Sequence, residues 1–213
     1  MSTVTVAKPR ARAGAGRPRA DESERKKAAL LDAAVAEFAE CGFSAASLRV
    51  IASKGGVSTR TLLNRYANKA ALFAGCIDHI SKRFSDVVAI RRKTLEDTLI
   101  DYGMAMHLNL SSDDSRRIAM LIYRESAVFA EVRQIARLQF ETYQVAPVVR
   151  ILRDFGYKNG NVRDTAVQFV VMALGNWQRH LLFGDKPLTT KATRAHLQFV
   201  TRLFLRGIDQ PTT

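Results

Sequence analysis

Apolar residues recur along this 213-residue chain at three- and four-residue spacings, and no alternating, strand-like pattern persists over a useful length. From Lys27 to Phe43 the run K-A-A-L-L-D-A-A-V-A-E-F-A-E-C-G-F places Leu30, Ala34 and Phe38 on one helical face, with Gly42 as its stop. Leu48, Ile51 and Ala52 repeat that spacing in a much shorter segment, and Leu62 and Tyr66 do so in another. Lys69 to about Ile90 reads as one longer helix with Leu72, Phe73, Ile77, Ile80, Phe84 and Val88 on one side. Further helices are predicted over residues 95–110, 114–126, 130–154, 162–183 and 189–206. The breaks carry polar or glycine signals, as in Ser111-Ser112-Asp113-Asp114 and Phe183-Gly184-Asp185-Lys186-Pro187. Pro147 falls inside the 130–154 segment and should kink or split it. The expected fold is all-α.

The two short segments are the most informative. Gly55-Gly56 supplies the positive φ needed to leave the first helix, and Ser58 caps the second through its hydroxyl. With Leu62 and Tyr66 facing inward, Thr59, Arg60, Leu63, Asn64 and Arg65 face out. Two arginines, an asparagine and a threonine on one exposed turn are side chains that read base edges and phosphates. The arrangement reads as a helix-turn-helix that lays its second helix in a major groove.

Across about Lys27 to Phe73, A-x-x-x-F-x-E-x-G-F, I-A-x-x-G-G-V-S, T-L-x-x-x-Y and N-K-x-x-L fall at fixed mutual distances. In these motifs the chain resembles the TetR family of bacterial transcriptional regulators. The resemblance implies a three-helix helix-turn-helix DNA-binding domain over residues 21–68 and a helical ligand-binding and dimerisation domain over 69–213. It places Thr59, Arg60, Asn64 and Arg65 against operator bases, and it fits Ser47, Thr61 and Lys69 as phosphate contacts. Three positions depart from the family pattern: Arg60 stands where a small residue is frequent, Leu63 where Tyr is frequent and Val50 where an acid is frequent. The resemblance further implies a homodimer joined through the last two helices, whose broad apolar faces offer Phe169, Trp177, Phe199 and Leu203. A small apolar or aromatic effector is expected between the middle helices, where Phe84, Met104, His107, Tyr123, Phe140 and Tyr143 supply an adaptable lining. Arg124 and Gln144 are further polar candidates there. The run Glu125-Ser126-Ala127-Val128-Phe129-Ala130-Glu131 looks like one found in a subgroup of the family. Repression, relieved by the effector, is the more frequent outcome in the family.

Charge sharpens this picture. The formal net charge is +13, which fits a polyanionic partner such as double-stranded operator DNA. Residues 1–69 hold 13 Lys/Arg against 6 Asp/Glu, whereas residues 70–213 hold 20 against 14, so the excess is about twice as dense at the helix-turn-helix end. Residues 1–20 form a basic tail rich in Ala, Gly and Pro, expected to be disordered when free, from which Arg17 and Arg19 can enter a minor groove. No signal-peptide core or membrane-length apolar run is present, so a cytoplasmic protein with no membrane partner is expected.

Chemistry for catalysis is thin. His79, His107, His180 and His196 lack metal-ligand spacing, and no nucleophile elbow, Walker loop or dinucleotide fingerprint occurs, so no enzyme, metal or cofactor is expected. Cys41 and Cys76 read as packed residues, with a redox pair as the alternative. Two rival functions stay open from the residues alone: a sequence-nonspecific architectural DNA binder, and a helical small-molecule-binding protein with no DNA-reading role.

Overall fold

A computed structural model describes residues 17–85, 92–158 and 160–208, the side chains of residues 17–21 and 83–85 excepted. Ten α-helices account for most of these residues, and no strand occurs among them. The first four are α1 (Arg17–Ala45), α2 (Leu48–Lys54), α3 (Thr59–Arg65) and α4 (Lys69–Ser85). They are followed by α5 (Leu95–Leu110), α6 (Asp113–Glu125), α7 (Ala130–Phe140), α8 (Ala146–Asp154), α9 (Val162–Phe183) and α10 (Thr190–Ile208). Helix α1 begins at Arg17, so the last four residues of the segment read as a tail have helical backbone; residues 1–16 lie outside the described residues.

Local chemistry explains the boundaries. Ser47, Ser58, Thr94, Ser112 and Asn161 each accept a backbone N–H at the start of a helix. The two glycines after α2 serve different purposes. Gly56 takes the left-handed φ of 67° and closes a Schellman turn, with Val57 N–H donating to Ala52 and Gly56 N–H to Ser53. Gly55 has ordinary φ, but a Cβ there would lie 2.9 Å from the Leu30 Cα, so it permits α2 to meet α1. Gly42 does not end α1 outright: its φ of 80° breaks the helix, which resumes to Ala45.

Pro147 splits its segment as expected. A π-helical turn, Glu141–Val145, separates α7 from α8, and Pro147 sits in the first turn of α8. Proline has no N–H to offer the Tyr143 carbonyl four residues back. The Tyr102 hydroxyl of α5 fills that gap, lying 3.1 Å from the Tyr143 oxygen and 2.9 Å from that of Gln144.

Two apolar cores result. The first joins α1–α4 around Leu30, Phe38, Ile51, Leu62 and Phe73, and it draws in Ile118 and Leu121 of α6 and Val132 of α7. Packing therefore continues across residue 68, where a domain boundary was expected. The second core lies among α5, α8, α9 and α10 and contains Leu99, Leu152, Phe169, Val170, Leu197 and Phe204.

Candidate DNA interface and internal cavity

Helix α3 sits on the first core through Leu62, which is fully buried, while Tyr66 at its end packs beside Gly75 of α4. Anchoring one face leaves Arg60, Leu63, Asn64 and Arg65 exposed and Thr59 half-buried at the first turn. Four adjacent polar groups on a short rigid helix, three of them exposed, form a surface that can enter a groove. Ser47 is the N-cap of α2, its Oγ 3.4 Å from Val50 N, so its hydroxyl is already partly used. Thr61 is exposed and shares a 2.8 Å hydroxyl contact with Ser58. Lys69 is engaged within the module as well, because its Nζ donates to the Ser44 carbonyl at 2.6 Å and lies 6.0 Å from the centre of the Phe43 ring. The side chains of Arg17 and Arg19 lie outside the described residues.

Glu37, which periodicity did not single out, organises this module. Its buried carboxylate accepts from Lys54 Nζ at 3.0 Å and from Ser47 N at 3.3 Å, tying α1 to both ends of α2. The Lys54 hydrogen bond outweighs desolvation and holds the Glu37 carboxyl below its ordinary range, while the same contact raises the Lys54 ammonium. Nothing in the apolar pattern could reveal the pairing, because both residues read as surface charges. The cysteines do not pair. Cys76 is buried with its thiol pushed up by desolvation, and Cys41 is exposed, its thiol raised by desolvation and by the Glu37 charge.

The end of α6 and the residues after it grip this module at Gly42-Phe43. Glu125 Oε2 accepts from Phe43 N at 2.8 Å, and the Phe129 ring lies 5.6 Å from that of Phe43. Gly42 leaves no room for a Cβ beside the Glu125 carboxylate. The Glu125–Glu131 run noted in the sequence is therefore a foot planted on the break in α1.

A cavity of about 310 Å³ opens where the two cores meet. Ile77, Ile80 and Ile118 of the first core line one side, and Met106, Val170, Leu174 and Trp177 of the second line the other. Tyr123, Phe140, Tyr143 and Gln144 line it as well. Asn109, Ser115, Gln139 and Gln178, which periodicity did not identify, supply further polar groups. Among the described residues none of the lining side chains is charged. Asp78 of α4 accepts from Gln139 Nε2 at 2.8 Å and from the Tyr143 hydroxyl at 3.1 Å, joining α4 to the far wall.

Several expected site residues fall elsewhere. Met104 and His107 project from other faces of α5 and line a separate, more polar cavity of about 470 Å³ beside Arg92, Asp101 and Arg194. His107 is buried and donates through Nε2 to the Ala173 carbonyl at 2.9 Å, and burial lowers its pKa. The Phe84 side chain lies outside the described residues. Phe169 and Trp177, expected between subunits, are consumed by the protomer's own core, Trp177 donating to the Leu110 carbonyl at 3.1 Å. A broad apolar helix face could not say which of its residues point inward. Phe199 and Leu203 do face outward, at 68% and 53% exposure.

Comparison with known proteins agrees with this geometry. Residues 30–76 match the model for bacterial regulatory proteins of the tetR family. An uncharacterized HTH-type transcriptional regulator of Bacillus subtilis (strain 168), YvkB, is 24% identical over 185 residues, covering 84% of this chain and 95% of the relative. The structure of the flavonoid-responsive regulator FrrA is 25% identical, covers 86% of this chain and 97% of its own, and superposes with a TM-score of 0.68. The fatty acid degradation regulator FadR from Bacillus halodurans shares the fold at 18% identity and a TM-score of 0.66, with 84% of this chain and 97% of that one covered. Helix-turn-helix, sequence motifs and fold thus coincide: residues 30–76, which hold the helix-turn-helix, match the tetR family of bacterial regulatory proteins, the similarity to regulators extends over 84–86% of the chain, and together they support a DNA-binding transcriptional regulator.

Proposed function

We propose that the chain acts in the cytoplasm as a homodimeric repressor, released from its operator by a small apolar or aromatic molecule bound in the cavity between α4 and α9. The observation that carries this reading is the position of α4. Its Leu72 and Phe73 belong to the core under the reading helix, and Ile77 and Ile80 belong to that core and also to the cavity wall. A ligand that prefers one position of α4 therefore biases the placement of α3, and only such a preference can release DNA. The neighbours described as responsive to flavonoids and as controlling fatty acid degradation support an apolar or aromatic effector.

Residues 21–68 serve as the reading module and residues 69–213 as the sensing and dimerising part. Thr59, Arg60, Asn64 and Arg65 contact bases, Ser47, Thr61 and Lys69 contact phosphates, and Arg17 and Arg19 reach an adjacent minor groove. Phe199 and Leu203, one turn apart and exposed on α10, belong to the apolar face that a second copy covers.

Footprinting on DNA flanking the protein's own coding sequence tests the reading. The expected result is a protected two-fold site with half-sites one helical turn apart. Asn64→Ala or Arg65→Ala should weaken operator binding by about 1–3 kcal/mol and flatten discrimination at one base pair. Equal affinity for operator and scrambled DNA would overturn specific recognition in favour of architectural binding.

A further inference from the structure

Among the described residues the cavity has walls without charge, a ring-rich lining and one polar atom out of balance. Gln139 donates through Nε2 to Asp78 at 2.8 Å. A carboxylate only accepts, so this bond fixes the orientation of the amide. The other amide atom, Gln139 Oε1, is buried and has no hydrogen-bond partner among the described residues. Buried acceptors are rarely left unpaired, because desolvation is then uncompensated.

We propose that Gln139 is the specificity-determining residue of this cavity, selecting an uncharged aromatic effector that presents a hydroxyl or N–H donor to Oε1. The inference rests on the reading of the cavity as the effector site. Ionised ligands are disfavoured because no charge among the described lining residues can offset their burial. Flat rings are favoured by Phe140, Tyr143 and Trp177, and a volume of about 310 Å³ limits the ligand to a compact molecule. The same residue transmits the event. Asp78 holds Gln139 and Tyr143 together through one oxygen and rides on α4, so a ligand that locks the Gln139 amide selects the α4 position in which these bonds are made.

Trp177 is the chain's single tryptophan and lines both this cavity and the one beside Arg92 and Arg194, so its fluorescence reports occupancy of either, and the Gln139 variant assigns the signal to this one. The test titrates the full-length protein with a naphthol, its methyl ether and naphthoate, and follows operator release in parallel by fluorescence anisotropy. Naphthol should bind at least about tenfold tighter than its ether, with naphthoate weakest. Gln139→Met, similar in size but with no amide acceptor, should bring naphthol down to the ether's affinity while leaving the ether unchanged. Asp78→Asn should keep naphthol binding and lose most of the ligand-induced operator release. Binding of all three probes with equal strength, or a naphthol preference that survives Gln139→Met, would overturn the role of Gln139 and leave the cavity reading standing. Quenching by none of the probes would overturn both.

Discussion

The core beneath the reading helix and the cavity beside it are built from similar residues but packed to opposite ends. Under α3, the rings of Phe38, Phe43 and Phe73 lock edge-on and stacked at centroid separations of 5.1–6.1 Å, with Phe129 closing the cluster. At the seam between the cores, Phe140, Tyr143 and Trp177 surround open space instead. A surface that matches base edges needs a fixed backbone, and dense packing supplies it. Under the proposed function, a ligand needs room beside α4, and the seam between the two cores supplies it. Helix α4 takes part in both, and the Gln139–Asp78–Tyr143 and Glu125–Phe43 bonds are the polar ties across the joint.

The contrast can be broken by paired substitutions. The largest effect should come from Phe38→Ala, which opens a void in the packed cluster and should cost about 3–5 kcal/mol in a urea melt followed by circular dichroism. Phe140→Ala, on a wall that is already open, should cost clearly less while weakening probe binding at Trp177. Equal losses at the two sites would show that the packing does not differ. Adding volume should give the same order. Ala34→Leu in the first core should cost about 1–3 kcal/mol, whereas Ala119→Leu fills existing space, costs under about 1 kcal/mol and blocks the cavity.

The joint itself gives the next effect. Glu125→Gln replaces a charged acceptor for Phe43 N–H with a neutral one and should cost about 1 kcal/mol, together with an altered ligand-induced release of operator. A variant with unchanged stability and unchanged release would remove the foot from the coupling path. The smallest effect concerns acid. Because Glu37 is held below its ordinary range, its contribution is present above the unfolded carboxyl pKa of about 4.3 and is lost as pH falls through the lower folded value. Glu37→Gln should therefore flatten the acid limb of a stability–pH profile below about pH 4 and leave its shape at neutral pH unchanged.

Most of the fold was legible along the chain. Helix spacing, the Ser58 cap, the polar breaks and the Gly55-Gly56 turn located α2 to α6 to within a residue or two, apart from the end of α4, where residues beyond Ser85 lie outside the described ones. Pro147 announced the split between α7 and α8. The exposed face of α3 was readable for the same reason: on a short helix with one buried anchor, geometry leaves the remaining positions outside. The cavity was legible only in part. Tyr123, Phe140 and Tyr143 were found by residue type, yet Met104 and His107 of α5 face another space, and Phe169 and Trp177 of α9 are interior.

The division has a physical cause. Backbone hydrogen bonding and side-chain periodicity are local, so the sequence by itself determined the helices, their caps, the reading turn and the basic bias of the DNA-facing end. Which neighbour each broad apolar face meets depends on contacts between residues far apart in the chain. Tertiary structure alone decided that Glu37 closes on Lys54, that Tyr102 supplies the hydrogen bond Pro147 cannot, that Glu125 stands on Gly42-Phe43, and that Gln139 is left with an acceptor facing no partner among the described residues. Such pairings form across packed surfaces, where the cost of burying a polar group makes its partner matter, and no spacing along one helix encodes them.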